Sequence, residues 1–281
     1  MLTPRLLTLT LASATAAAML SVPATAATVD FEDPAYTVGT SISGKADPNF
    51  NDTWAGGLGS TVGFDGTAAS PTNRFYQTPT ADSDDSGSSL GNNRIFPDAA
   101  ALGGSNAASG TYEYSFGVRA ESAQTSFSDF APVADIRIAQ ASNGSQTTRF
   151  LLYSNGLIQV LGDGVDFFAT TTGNPADGGS RFDLDDSTDR FVTISGTLDY
   201  DNDQFTVSVD GVAQNNGNPL TCRSGSGATY DDVGAVWIEA QNQAQYRSYQ
   251  VDDISLAIPE PASLGLLGLG GLLLAARPHR R

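Results

Sequence analysis

The sole histidine, His279, sits in the closing Arg277-Pro278-His279-Arg280-Arg281, and the sole cysteine is Cys222. Between its ends the chain therefore has no imidazole for a Ser-His-Asp or Cys-His nucleophilic site or for a histidine-ligated zinc. Carboxylate chemistry is what remains. The glutamates of the body are Glu32, Glu113, Glu121 and Glu239, and no two share a strand at a spacing that pairs them. Retaining glycoside hydrolysis needs two carboxyls about 5 Å apart, which here would have to be aspartates brought together from separate strands. The expectation is a non-catalytic protein, with a glycan-active enzyme using an aspartate pair as the alternative.

Asp199-x-Asp201-x-Asp203 imitates the start of a calcium loop, and Asp210 falls at its twelfth place. Gln204 stands where that loop requires glycine, and Phe205 to Val209 alternate as a strand, so an acidic hairpin turn is the better reading. The aspartates of 82–85 and 183–189 read as solvated loops. Two tryptophans could stack on sugar rings. Trp237, between Val236 and Ile238, reads as a packing residue. Trp54, in a Gly-rich stretch, is the candidate glycan-stacking platform. Cys222 has no partner for an intrachain disulfide, so stability must come from the core.

Charge narrows the partners. Of 14 basic and 31 acidic residues, Arg5, Arg277, Arg280, Arg281 and Glu260 lie in the end segments, which leaves 10 bases against 30 acids between them, a net of −20. Such a body lacks the clustered Lys and Arg that phosphate binding needs, which excludes nucleic acid. It also disfavours anionic lipid. Lys45 is the one lysine, and aspartate far outnumbers glutamate, as suits turns between strands.

The elements that would hold these groups are strands. Tyr112, Tyr114, Phe116 and Val118 alternate with polar residues. Arg149–Ser154 and Leu157–Leu161 flank Asn155-Gly156, a hairpin signal. Val192, Ile194 and Leu198 form one face of a strand that is followed by Phe205, Val207 and Val209 and a turn at Asp210-Gly211. Val236-Trp237-Ile238 and Tyr249–Leu256 close the series. No ten-residue helix and no fixed repeat is visible in the body. Residues 43–108 and 213–229, rich in Gly, Ser, Asn and Asp, read as long surface loops with short edge strands.

Both ends look like processing segments. Arg5, the apolar stretch from Leu6 to Val22 and Ala24-x-Ala26 have the build of a secretory signal peptide over 1–27, cleaved after Ala26 or Ala27. At the other end, Ile258-Pro259-Glu260-Pro261 precedes an uncharged Leu/Gly-rich run to Ala276 and then Arg277, Arg280 and Arg281. The run is short for a membrane span of about 20 residues, and snorkelling arginines make up the difference. Basic residues after it and an acidic body before it place the body outside the membrane. Pro259-Glu260-Pro261, the short span and the arginine-rich end together resemble the PEP-CTERM sorting signal of bacteria. That resemblance implies an exosortase acting near Pro259-Glu260-Pro261, with delivery to the cell surface or extracellular matrix. Pro278 and His279 interrupt its usual unbroken arginine run.

The body, 28–257, resembles the concanavalin A-like (laminin G-like) jelly roll. The likeness is carried by Val29-Asp30-Phe31-Glu32, by Phe191–Ile194 with Leu198–Gly211, and by Val251-Asp252-Asp253-Ile254-Ser255-Leu256. It implies an all-β antiparallel sandwich, flanked here by an N-terminal signal helix and a C-terminal transmembrane helix at 258–281, with first and last strands paired. That pairing would bring Glu32 to Asp252 and Asp253, and jelly-roll modules of this kind hold a structural calcium near there. The Glu-x-Asp-x-x-Glu strand of the related glycanases is missing. The expected function is a surface or matrix protein that binds polysaccharide or another matrix component, with a purely structural matrix protein as a further alternative.

Overall fold

The computed structural model describes residues 26–48, 50, 53–56, 60–67, 70–78, 92–95, 110–121, 132–140, 148–184, 190–223, 235–240 and 248–257. Its strands begin with β1 (Ala26–Val29), β2 (Ala55–Gly56), β3 (Thr61–Thr67), β4 (Ser70–Gln77), β5 (Asn92–Ile95), β6 (Thr111–Ala120) and β7 (Pro132–Gln140). There follow β8 (Thr148–Tyr153), β9 (Ile158–Leu161), β10 (Asp166–Phe168), β11 (Val192–Asp199), β12 (Gln204–Phe205) and β13 (Ser208–Val209). The chain continues through β14 (Val212–Ala213), a short 3-10 turn at Asn215–Gly217, β15 (Leu220–Thr221), β16 (Ala235–Ala240) and β17 (Tyr249–Ala257).

These strands make two antiparallel sheets, and the chain passes back and forth between them as in a jelly roll. One sheet runs β14-β13-β11-β6-β17-β4-β3, with β1 beside β17 and with β12 and β15 extending from β11. The other is seven-stranded, β10-β9-β8-β7-β16-β5-β2. Alternation decides what lies between them. From the first sheet come Tyr114, Phe116, Val118, Ile194, Leu198, Val251 and Ile254. From the second come Ile136, Phe150, Leu152, Val160, Val236 and Ile238. All are buried in one continuous core. Phe150 stands at its centre, edge-on to Phe116 at 5.4 Å and tilted against Tyr114 at 6.2 Å, the offset geometries aromatic rings prefer.

First and last strands do pair: Ala26 faces Ala257 and Val29 faces Ile254. β17 carries a bulge between Asp252 and Ser255, with Asp253 at φ 49°. The extra residue lets Val251 and Ile254, three apart, both reach the core. Asn155-Gly156 turns the β8–β9 hairpin with Gly156 at φ 81°.

Residues 43–108 contain more sheet than their composition suggests. β3 and β4 pair along most of their length, and β5 lies between β2 and β16. In β7 Ala134, Ile136 and Ile138 alternate with Asp135 and Arg137, yet Asp135 is buried too, so both faces of the sheet are covered there. No α-helix occurs among the described residues, and none there is long and apolar enough to cross a membrane. The expected signal and transmembrane helices fall on 1–25 and 258–281, outside the described residues; Ala26 and Ala27 belong to β1.

Gly196, mid-strand in β11, marks the closest approach in the sheet. A Cβ there would sit 1.9 Å from the Thr206 carbonyl oxygen and 2.7 Å from the Tyr114 hydroxyl, which itself donates to that carbonyl at 2.7 Å. Gly196→Ala is therefore expected to cost about 3 kcal/mol, the upper end of overpacking penalties, read as a lowered denaturation midpoint with an unchanged m-value.

Candidate functional site

On the seven-stranded sheet, the face turned away from the core carries a linked network of charged groups. Strand alternation puts Asp135 and Arg137 of β7, Arg149 of β8, and Trp237 and Glu239 of β16 there, since their neighbours Ile136, Ile138, Phe150, Val236 and Ile238 face inward. Register then brings them together. Trp237 pairs across with Arg137 and Arg137 with Arg149; Glu239 pairs with Asp135.

Asp135 is the hub. Arg137 Nη2 donates to its Oδ2 at 2.7 Å, Arg149 Nε donates to its two oxygens at 3.1 and 3.0 Å, and Arg149 Nη2 stands 2.8 Å from Oδ2. The same Arg137 Nη2 donates to Glu239 Oε2 at 2.8 Å. Exposure rises outward from the hub, from 0% at the Asp135 side chain through 11% for Arg137 and 15% for Glu239 to 21% for Arg149. Burial, with the nearby Asp135 charge assisting, pushes the Glu239 carboxyl above the ordinary range against the pull of Arg137 and Arg149. The Arg137 guanidinium lies 5.2 Å from the Trp237 ring centroid, a cation–π contact. Toward the β10 edge the same face carries Leu151, Gln159 and Phe168. Tyr153 donates its hydroxyl to Gln159 Oε1 at 2.7 Å, and Arg181 stacks over the Phe168 ring at 4.6 Å.

A partly buried ion network adds little to stability, because desolvation offsets attraction. Its chemical capacity is to present guanidinium and carboxylate groups to a polar ligand lying across the strands.

Trp54 does not have the exposure expected of it. It is fully buried, stacked 6.1 Å from Phe31 and tilted 5.7 Å from Tyr76. Its Nε1–H donates to the Tyr36 hydroxyl at 2.9 Å, and Tyr36 donates to buried Asp47 at 3.1 Å. Trp237 is the half-exposed tryptophan. The signal was present in the sequence, since Val236 and Ile238 inward require Trp237 outward.

The calcium expectation at Glu32, Asp252 and Asp253 is not met either. Strand pairing brings the segments close, but Glu32 accepts the Arg74 backbone N–H at 2.7 Å, and the Arg74 guanidinium donates to its carbonyl at 2.9 Å. Asp252 accepts from Asn73 Nδ2 and from the Asp253 N–H, each at 2.9 Å. Among the described residues no group of three or more carboxylate, cysteine or histidine side chains is placed to hold a metal ion. Burial first, then Asp253 and Glu32, raise the Asp252 carboxyl to about 7. Asp199 is used in its own turn, accepting from Asn202, and Asp201 accepts the Gly110 N–H. Cys222 is buried with its thiol pushed up to about 12, chiefly by burial, which makes it unreactive.

Pro259, Glu260, Pro261, Arg277, Arg280 and Arg281 lie outside the described residues. Residues 257–281 match the family model of the PEP-CTERM protein-sorting motif, so the chain ends in a signal for export and sorting to the cell surface. Among curated proteins none matches the chain in sequence. Three solved structures are similar to this chain at low identity. The binding domain of Paraclostridial Mosquitocidal Protein 1 is 10% identical, with a TM-score of 0.43 over 77% of this chain and 47% of that one. The carbohydrate esterase vb_24B_21 from the Shiga toxin-encoding bacteriophage phi24B is 11% identical, with a TM-score of 0.46 over 74% and 90%. The cellulose induced protein Cip1 is 13% identical, with a TM-score of 0.41 over 82% and 95%. All three scores fall below 0.5, too low to transfer a ligand or an activity.

Proposed function

We propose that this is a non-catalytic cell-surface or extracellular-matrix protein that binds glycan through the outer face of its seven-stranded sheet. A signal peptide would export it, the C-terminal span would hold it in the membrane, and an exosortase would process it near Pro259-Glu260-Pro261. The match over 257–281 supports the address. The Trp237–Arg137–Arg149 row beside Asp135 and Glu239 supports the binding role, and it is the observation that carries it. Of the two leader cleavage positions, the one after Ala26 keeps the buried Ala27 in β1, whereas the one after Ala27 removes it from the core.

The enzyme reading has one observation in its favour. Asp135 Oδ2 and Glu239 Oε2 lie 2.7 and 2.8 Å from the same Arg137 Nη2, hence at most about 5.5 Å apart, within the range of a retaining carboxylate pair. Against it, Asp135 is fully buried and neutralised by two arginines, so it cannot reach a sugar carbon. The full-length chain on a glycan array, with a reducing-end assay beside it, separates the readings. Saturable binding without release of reducing ends is expected. Release abolished by Glu239→Gln would replace the binding role with hydrolysis, and flat binding across the array would leave a purely structural matrix protein.

A further inference from the structure

The arginine content of the outer face specifies its ligand more narrowly. The body has 10 basic residues against 30 acidic ones, yet Arg137 and Arg149 are register partners on adjacent strands, Arg137 lies over Trp237, and Arg181 lies over Phe168 on the same sheet. Three guanidinium groups, Arg137, Arg149 and Arg181, thus lie along one face of an otherwise acidic molecule.

Building on the glycan-binding reading, we infer that the ligand is an extended acidic polysaccharide whose carboxylates are taken by these arginines. Three features point to it. Guanidinium forks match carboxylates bidentately, and one already holds Asp135 through both of its oxygens. Arg137 lies over Trp237 and Arg181 over Phe168, so these two rings present cationic stacks as well as apolar surface for sugar C–H groups. The two stacks also lie far apart. Arg137 on β7 and Phe168 on β10 are three strands apart, about 14 Å at a spacing of about 4.8 Å, which suits several sugar units crossing the strands rather than one. Repulsion from the body does not forbid this. At physiological ionic strength the screening length is about 8 Å, so distant aspartates are damped while guanidiniums in contact are not.

Glu239 is the competitor in this arrangement. Its partly exposed carboxylate shares Arg137 Nη2 with fully buried Asp135, which also holds Arg149. Removing the Glu239 charge frees Arg137 for the ligand's own carboxylate.

The test uses the full-length chain in isothermal titration with polygalacturonate oligomers and with the same oligomers carboxyl-reduced to the neutral sugar. Expected are at least tenfold tighter binding of the acidic form, a severalfold gain for it on Glu239→Gln, and a severalfold loss on Arg181→Ala. Arg181 is exposed, so its replacement leaves the fold intact. Equal or tighter binding of the neutral oligomer would overturn the inference while leaving glycan binding standing. So would acidic-oligomer binding that Glu239→Gln weakens. Binding of neither oligomer, with binding to some other neutral glycan on the array, would overturn it too; no glycan binding at all would remove both readings.

Discussion

Trp54→Ala is expected to destabilise the body by about 3–5 kcal/mol, the range for truncating a large buried aromatic. The indole is fully buried, packs on Phe31 and Tyr76, and fixes the Tyr36 hydroxyl that in turn satisfies buried Asp47. Its backbone also joins two loop segments, with Gly44 donating to the Trp54 carbonyl at 2.7 Å and Trp54 donating to Lys45 at 2.8 Å. Truncation leaves a cavity and strands the Tyr36–Asp47 pair without its outer donor. Total stabilities of domains are about 5–15 kcal/mol, so the variant should melt far below the parent. Trp54→Phe refills most of the volume and forfeits the indole hydrogen bond, worth about 1 kcal/mol. Chemical denaturation of the three chains checks the order. A Trp54→Ala chain as stable as the parent, yet weakened in glycan binding, would restore Trp54 as an exposed platform.

Asp252 governs the second large effect, and its direction is unusual for a carboxylate. An aspartate in the unfolded chain titrates near 3.9, whereas burial holds folded Asp252 at about 7. Between those values the folded protein binds the proton more tightly, so the stability this group confers is fully present below about pH 4. It declines as pH rises and levels off above about 7. Three pH units at about 1.4 kcal/mol each set the loss at about 4 kcal/mol. Asp252→Asn should remove that slope, matching the parent near pH 4 and exceeding it by up to that amount at pH 8. The amide oxygen keeps the Asp253 N–H that now reaches Oδ1, while Asn73, which now donates to Oδ2, turns its own amide to accept from the new NH2. Melting temperatures at pH 4, 6 and 8 with and without calcium decide it. A parent that gains stability on calcium addition at pH 8, with Asp252→Asn unresponsive, would instead show a cation at this site.

How much of this was legible in the sequence differs by element. Tyr112–Val118 and the Asn155-Gly156 hairpin follow from period-two alternation and turn chemistry, and the pairing of first and last strands from the jelly-roll resemblance; all are present. β7 alternates over Ala134–Ile138, but the burial of Asp135 on the outward side does not follow from that alternation. The Gly-rich early segment conceals a buried aromatic group, since Phe31, Tyr36 and Trp54 come from loops and irregular turns rather than from strands with a period. The candidate site was less visible still. Arg137, Arg149 and Glu239 are unremarkable along the chain, and only the register of β16, β7 and β8 places them side by side. Trp54 and Trp237 exchanged roles for a related reason. Composition favoured exposure for the tryptophan among glycines, whereas exposure is decided by which neighbours face the core.

The two tryptophans offer the most direct measurement of the central claim, that glycan binds on the outer face of the seven-stranded sheet. Trp54 is sealed in the core and Trp237 borders the proposed track, so intrinsic fluorescence distinguishes them once each is replaced by phenylalanine in turn. Titrated with the strongest-binding oligosaccharide from the array, the Trp54→Phe chain should show a saturable shift in Trp237 emission, and the Trp237→Phe chain should show none. A shift that follows Trp54 instead, or saturable binding that moves neither emission, would place the ligand elsewhere on the molecule and contradict the account.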